Sequence, residues 1–63
     1  MYRIYFLEGN KKYYYSESEY TDFYGDSHLF AIEYDTRNQA KESIKNEILK
    51  GFAYNLLIEK IPA

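Results

Sequence analysis

Cysteine and tryptophan are absent from this 63-residue chain, and histidine, glycine and proline are scarce. Without cysteine the chain can form neither a disulfide nor a thiolate metal site, which is typical of a protein kept in a reducing compartment. The one imidazole, that of His28, is too few for a zinc site built from histidines. Gly9, Gly25 and Gly51 stand alone, so the sequence has no glycine-rich loop for a phosphate. We therefore expect no metal and no cofactor.

Long hydrophobic runs are also missing. The longest apolar stretch lies around residues 56–58, far short of the roughly 20 residues that cross a bilayer. The first residues alternate like a strand and have no signal-peptide pattern. We predict a single compact domain over residues 1–63, located in the cytoplasm and away from membranes. A chain of this size buries only about 60% of the surface that its unfolded form exposes. It therefore needs either a core of large side chains or a homo-oligomer.

Tyrosine is the residue that the chain has in excess. Thirteen of the 63 residues are aromatic, nine of them tyrosine and four phenylalanine. The large ring of a tyrosine can fill the core of a small domain, whereas its hydroxyl also suits a wet interface with a partner. The position of each tyrosine along a strand decides between these two interpretations.

The first seventeen residues predict a β-hairpin. Residues 2–8 alternate in the way of a strand, and Gly9-Asn10 suits a two-residue type II′ turn. Glu8 would then pair with Lys11. The predicted core face carries Tyr2, Ile4, Phe6, Tyr13 and Tyr15. The opposite, outer face carries Arg3, Tyr5, Leu7, Lys12 and Tyr14.

Two further strands follow from the pattern. Alternation over residues 28–34, with Phe30, Ile32 and Tyr34 on one side, predicts a third strand. Residues 20–24 fit either a short edge strand or an ordered loop. A final strand is predicted over residues 54–61, and its apolar residues point to both sides. We expect this last strand to be more central in the sheet than the others.

A helix is predicted over residues 37–50. Thr36 and Gln39 have the spacing of a capping box, and Gly51 suits the helix exit. The apolar row expected to face the sheet is Ala40, Ile44 and Ile48, with Leu49 at its margin. The fold class is therefore α+β, a small and mainly antiparallel sheet with one helix packed on one face.

The sequence has no catalytic constellation. Ser27 and His28 are adjacent, and neighbours on a strand point to opposite faces, so they cannot form a nucleophile–base pair. Nearby carboxylates such as Asp22 and Asp26 lack the further ligand spacing of a metal site. A chain this short also has little room for a substrate pocket of several hundred Å³. We predict that the protein is not an enzyme.

Charge is distributed unevenly along the chain. Residues 1–36 hold three basic and seven acidic groups, and residues 37–63 hold five basic and three acidic groups. The acidic half contains aromatic residues that no regular alternation assigns to the core, and these are candidates for a partner surface. The candidate partner-binding residues are Tyr20, Asp22, Phe23, Tyr24 and Asp26, together with Tyr5 and Tyr14 on the outer face.

An acidic surface interleaved with aromatic rings complements a basic nucleic-acid-binding surface on another protein, and competes there with DNA or RNA. Small phage inhibitors of the anti-CRISPR or anti-restriction type often work in this way. The sequence therefore favours a tyrosine-rich protein-binding module, of phage or mobile-element type, that inhibits a host nucleic-acid-handling complex. The alternative for the same acids is an ordinary solvated face.

A basic stripe on the helix supports a second hypothesis. Arg37, Lys41 and Lys45 are spaced four residues apart and share one side of the helix. They could contact phosphates of a nucleic acid, or their stems could cover sheet aromatics while their charges stay in water. Residues 28–50, with Asp35-Thr36 and Ala40, resemble the HicB antitoxin domain, although that family's glycine- and proline-rich central segment is missing. The resemblance implies an antitoxin-like regulator.

Overall fold

A computed structural model describes residues 1–18 and 22–62 and shows a four-stranded antiparallel sheet with one helix on one face. The strands lie in the order β3-β2-β1-β4, so β3 and β4 are its edges. The predicted α+β class is confirmed. The elements are β1 (Tyr2–Glu8), β2 (Lys11–Glu17), β3 (Asp22–Gly25), a 3-10 helix (His28–Phe30), α1 (Arg37–Leu49) and β4 (Leu57–Lys60).

The hairpin forms in the predicted register, with Glu8 opposite Lys11. Gly9 has a φ of 63°, and among residues 1–18 and 22–62 no residue other than glycine has a positive φ. This combination fits a type II′ turn, since a type I′ turn would also need a positive φ at Asn10. The turn aligns the two strands so that Tyr5 lies opposite Tyr14.

The prediction of a third strand over residues 28–34 is wrong. His28–Phe30 instead form the 3-10 helix, which the Ser27 hydroxyl caps by accepting from the amide of Leu29 at 3.3 Å. Closing this turn takes up the amide of Ala31, which donates to the carbonyl of His28 at 3.2 Å. The strand-like alternation of the sequence is broken at this point, and Phe30 is exposed rather than aligned with Ile32 and Tyr34.

Residues 31–34 are wedged between β1 and β2. The amide of Ile32 donates to the carbonyl of Tyr15 at 3.0 Å, and Tyr2 and Tyr34 exchange two backbone hydrogen bonds of 2.8 and 2.7 Å. The β1–β2 ladder ends at Tyr5–Tyr14 to make room for this segment. Two isolated bridges to different strands thus replace the predicted third strand.

The chain between β3 and this wedge crosses the outer face of β2. Ser16 pairs with Phe23 on one side and with Ala31 on the other, so residues 26–30 must pass over it. The ring of His28 lies edge-on against Tyr14, with centroids 6.4 Å apart. The crossover explains why Ser16 and Tyr14 are buried although they belong to the face opposite the helix.

The helix begins as the sequence predicts, at a capping box between Thr36 and Gln39. It ends at Leu49, one residue earlier than predicted, in a Schellman motif. The amide of Gly51, whose φ is 94°, donates to the backbone carbonyl of Ile48, and the amide of Phe52 donates to the backbone carbonyl of Glu47.

The predicted apolar row of the helix is only partly right. Ala40 is fully buried and Ile44 partly buried, but Ile48 is 58% exposed. The polar residues Ser43 and Glu47 take the inward positions instead, because each accepts a hydrogen bond from a tyrosine hydroxyl of the sheet side. The helix has therefore turned its polar flank toward the tyrosines.

The final strand is shorter than predicted and is not central. β4 covers Leu57–Lys60 and pairs only with β1 among the described strands. Leu56 and Ile58 join the core under the helix, whereas Leu57 lies on the outer face beside Tyr5. Apolar residues on both sides of a strand indicate that both of its faces are covered. Because an edge strand can also be covered on both faces, this pattern did not require a central position.

The core lies between the sheet and α1. Its buried members are Ile4, Phe6, Tyr15, Ala40 and Leu56, with Tyr2 and Tyr13 packed against them. The predicted core face of the hairpin is confirmed. Among residues 1–18 and 22–62, no helix combines the length and apolar content needed to cross a bilayer.

Candidate functional site

Tyr24 of β3 is partly buried and packs against the core. Its ring stacks on Phe52 at 4.5 Å between centroids and meets Phe6 edge-on at 5.5 Å. Its hydroxyl donates to Glu47 Oε1 at 2.8 Å. Burial, together with this hydrogen bond to a carboxylate, raises the pKa of the Tyr24 hydroxyl above its ordinary value. Tyr24, which the sequence predicted as a partner-binding residue, therefore connects β3 to the helix.

Asp22 has a similar anchoring position at the start of β3. Its Oδ2 accepts a hydrogen bond of 2.8 Å from the hydroxyl of Tyr15. Burial and this hydrogen bond raise the pKa of Tyr15. The side chain of Asp22 remains exposed, so its charge also contributes to the surface.

Tyr5 and Tyr14 lie side by side on the outer face, with ring centroids 6.2 Å apart. Each ring carries a cation: the guanidinium of Arg3 lies 5.0 Å from the Tyr14 centroid, and Lys12 Nζ lies 4.7 Å from that of Tyr5. Glu59 forms an ion pair with each cation. Its Oε2 contacts Arg3 Nε, and its Oε1 lies 2.7 Å from Lys12 Nζ. Tyr14 is buried by this cover, and Tyr5 is partly buried.

The charges of this outer-face cluster hold one another in the ionised state. Burial alone would raise the pKa of Glu59, but hydrogen bonds from Lys12 and Arg3 outweigh it and lower that pKa. The hydrogen bond to Glu59 likewise raises the pKa of Lys12. The cluster therefore satisfies its own charges and offers little unpaired charge to a partner.

One exposed apolar surface lies beside this cluster, at the crossover. Phe23 is 36% exposed, Leu29 77% and Phe30 63%. Phe23 and Ala31 are the two partners of Ser16, so Ala31, the residue that follows Phe30, lies about two strand spacings, ~10 Å, from Phe23. We call Phe23, Leu29 and Phe30 the crossover patch.

Leu29 and Phe30 were not predicted as contact residues, because the alternation of residues 28–34 indicated a strand. One local signal could have found them: Ser27 directly follows the turn residues Gly25 and Asp26, and serine is a preferred cap of a helical turn. A capped turn would have placed the following apolar residues outside the sheet ladder.

Exposed acidic residues flank the crossover patch. Asp26 precedes and Glu33 follows the 3-10 helix, whereas Glu17 belongs to the face of β2 that is turned toward α1. None of the three forms an ion pair among the described residues. Tyr20, the remaining predicted contact residue, lies outside the described residues. Of the predicted contact set, the structure therefore presents Asp22, Phe23 and Asp26 at the surface, whereas Tyr14 and Tyr24 are largely covered.

The basic stripe of α1 lies on the helix side of the sheet. The guanidinium of Arg37 lies 5.2 Å from the ring centroid of Tyr2, so this side chain covers a sheet aromatic. Lys41 and Lys45 are exposed. Lys60 of β4 is the cross-strand partner of Tyr2 and so extends the stripe. Direct contact of these residues with nucleic acid stays a prediction.

Residues 1–18 and 22–62 enclose no pocket, and they bring together no group of three side chains suited to hold a metal ion. A binding function would therefore use the surface. No protein-family model, curated protein or solved structure matches this chain. Its function is inferred from the surfaces described above.

Proposed function

We propose that this protein is a non-enzymatic protein-binding module whose contact surface is the crossover patch with its rim of acidic residues. The observation that carries the proposal is the exposure of Leu29 and Phe30 on a short, capped 3-10 helix. Both side chains stand on a backbone that is fixed at Ser27 on one side and bonded to β2 through Ile32 on the other.

Exposure of these residues is costly for so small a domain. Burying a Leu or Phe side chain stabilises a fold by roughly 1.5–3 kcal/mol. The chain leaves this stabilisation unused at Leu29 and Phe30, and these residues, unlike the exposed pair Ile48 and Leu49 of the helix, lie in an acidic segment that has no basic residue. Adjacent exposed apolar residues with a polar rim are typical of protein–protein contact sites.

The rim indicates the chemistry of the partner. Asp26 and Glu33 flank the patch, and no basic residue occurs between Lys12 and Arg37. An apolar pocket bordered by Lys or Arg would complement this surface, and such borders are common on proteins that bind nucleic acids. Occupying such a pocket would exclude the nucleic acid, and the protein would then act as an inhibitor of the anti-CRISPR or anti-restriction type.

The test is a pair of double variants. Leu29→Ser with Phe30→Ser removes the apolar patch, and Ile48→Ser with Leu49→Ser changes two equally apolar residues on the helix, of which Leu49 is 76% exposed. We expect the patch variant to lose a partner that the wild-type protein captures from a bacterial lysate, and the helix variant to keep it.

Circular dichroism and thermal unfolding serve as the control for folding. We expect both double variants to melt close to the wild-type temperature, because all four side chains are exposed. A captured partner that binds the patch variant as tightly as the wild type would contradict the proposal. So would binding that is insensitive to salt, since the acidic rim should contribute to it.

A further inference from the structure

The two edges of the sheet carry opposite charge on the side that faces α1. At the β3 edge, Asp22 lies beside Glu17 of β2, its cross-strand partner. At the β4 edge, Lys60 lies beside the basic stripe of the helix. The uneven charge of the sequence has thus become a polarity across the sheet.

The orientation of α1 directs its basic stripe toward β4. Glu47 accepts a hydrogen bond from the hydroxyl of Tyr24 on β3, and Ser43, on the same flank of the helix, accepts one from Tyr34 in the segment between β1 and β2. At about 100° per residue, Lys41 and Lys45 lie about 100° and 140° round the helix from Ala40, on the opposite flank. They therefore lie on the flank turned away from β3, the flank on which Arg37 covers Tyr2, the cross-strand partner of Lys60.

At this edge β4 has a row of backbone groups with which no described strand pairs. The amide of Ile61 donates to the carbonyl of Met1 at 2.9 Å. Because hydrogen-bonded positions alternate in an antiparallel ladder, Glu59 also bonds to β1, whereas Ile58 and Lys60 direct their amides and carbonyls outward.

The same alternation places outward backbone groups on β3. The carbonyl of Tyr15 accepts from Ile32 on the β1 side of β2. Its neighbours along β2 therefore bond to β3 at Phe23 and Gly25, and Tyr24 between them directs its amide and carbonyl away from the sheet.

The two edges are aligned along the strand direction, which we call height, and their charges are opposite. Tyr5 pairs with Leu57 of β4 and also with Tyr14, which pairs with Gly25 of β3. Gly25 and Leu57 therefore lie at one height across the sheet. Since β3 and β4 run in opposite directions, Asp22 and Lys60, three residues further along, also lie at one height.

We propose that copies of this chain associate head to tail, with the β4 edge of one copy adding to the β3 edge of the next. With no shift along the strands, Lys60 of one copy faces Asp22 of the next, and Ile58 faces Tyr24. The outward backbone groups of β4 can then form hydrogen bonds with those of β3. The strands remain antiparallel and all helices stay on one face of the extended sheet. The basic flank of one helix then lies beside the acidic β3 edge of its neighbour.

Charge complementarity selects this arrangement over a symmetric pair. Joining two β4 edges would bring together the lysines of both copies, at positions 41, 45 and 60, and these like charges would repel each other. Joining two β3 edges would bring the acids together. Only unlike edges attract, and a contact between unlike surfaces leaves one edge open at each end of the assembly. Each shared edge is only four residues long, so association is weak and reversible.

Sedimentation velocity over a range of protein concentrations tests the proposal. We expect the average mass of the wild-type protein at low salt to rise with concentration beyond that of a dimer, and to fall when salt is added. Lys60→Pro should abolish the rise, because proline removes an outward amide that β1 does not use. Lys11→Glu, at the hairpin tip, changes charge away from both edges and should leave the rise intact.

A charge exchange identifies the partners directly. Lys60→Glu and Asp22→Lys should each weaken self-association by about fivefold or more, because like charges then face each other. An equimolar mixture of the two variants should recover association, since Glu at position 60 of one copy meets Lys at position 22 of the other. Asp22→Asn, which keeps an acceptor for Tyr15, checks that the fold is retained and should show an intermediate loss.

Three outcomes would overturn the proposal: a wild-type protein that stays monomeric at millimolar concentration, a mass that stops at the dimer, or an Asp22→Lys variant that associates like the wild type. A monomer that instead shows salt-sensitive binding of duplex DNA, lost in Lys41→Glu with Lys45→Glu, would assign the basic flank to nucleic acid.

Discussion

The two faces of the sheet use tyrosine in different ways. On the helix face, Tyr15 and Tyr24 are surrounded by other rings and direct their hydroxyls to Asp22 and Glu47. On the outer face, Tyr14 is covered by a cation and by the crossover rather than by a hydrophobic layer. The same residue type thus fills a core on one side and supports a charged network on the other.

The difference arises from what each face has above it. A helix and Phe52 cover the inner face, and they exclude water, so each buried hydroxyl needs a partner. Over the rings of the outer face lie the charged side chains of Arg3, Lys12 and Glu59 and the edge of the His28 ring, and the charges reach water at the margin. Stability should therefore depend strongly on inner-face side chains and weakly on outer-face ones.

Removing one ring from each face should show the largest contrast. Phe6 contacts four other rings on the inner face, so Phe6→Ala should lower the free energy of unfolding by about 3–5 kcal/mol. Tyr5→Ala on the outer face should cost about 1–2 kcal/mol, for one ring pair and one cation. Urea denaturation measures both, and equal losses would refute the distinction between the faces.

The hydroxyl bonds of the inner face give the next largest effect. Glu47→Ala removes the acceptor of the partly buried Tyr24 hydroxyl, which should lower the free energy of unfolding by about 1–3 kcal/mol. Adding Tyr24→Phe to that variant should recover part of the loss, because no hydroxyl then lacks a partner. Glu42→Ala, on the exposed side of the same helix, is the control and should change stability by less than about 0.5 kcal/mol. A double variant no more stable than Glu47→Ala alone would argue against this account.

Local signals in the sequence predicted the hairpin and both ends of the helix. Gly9, the capping box at Thr36 and the exit at Gly51 each act within a few residues. The core face of the hairpin followed from alternation alone. These features could be predicted because the residues that determine them are neighbours in sequence.

The features that could not be predicted depend on distant partners. Alternation around Ile32 and Tyr34 is the same for a strand and for a segment wedged between two strands. The inward position of Glu47 depends on Tyr24, which lies far away in sequence. The acidic character of the candidate surface was visible in composition, but the exposure of Leu29 and Phe30 required the crossover.

The outer-face network should give the smallest effect, and one that depends on pH. The pKa of Glu59 is lower in the folded protein than its ordinary value of 4.5, so the folded state holds this proton less tightly than the unfolded state. The network therefore stabilises the fold fully above the unfolded pKa, and this contribution is lost as the pH falls through the lower, folded value. After solvent screening its size should be less than about 1 kcal/mol. Urea denaturation between pH 2 and pH 7 measures it.

Glu59→Gln isolates this contribution from other acid-sensitive groups. The variant should be slightly less stable than the wild type at pH 7, and the difference should shrink toward zero in acid, where the wild-type carboxyl is also neutral. Glu8→Gln, an exposed carboxyl at the hairpin turn, is the matched control and should run parallel to the wild type. A Glu59→Gln curve that stays equally far below the wild type at every pH would mean that the side chain acts by packing. The outer face would then be held in the same way as the inner one.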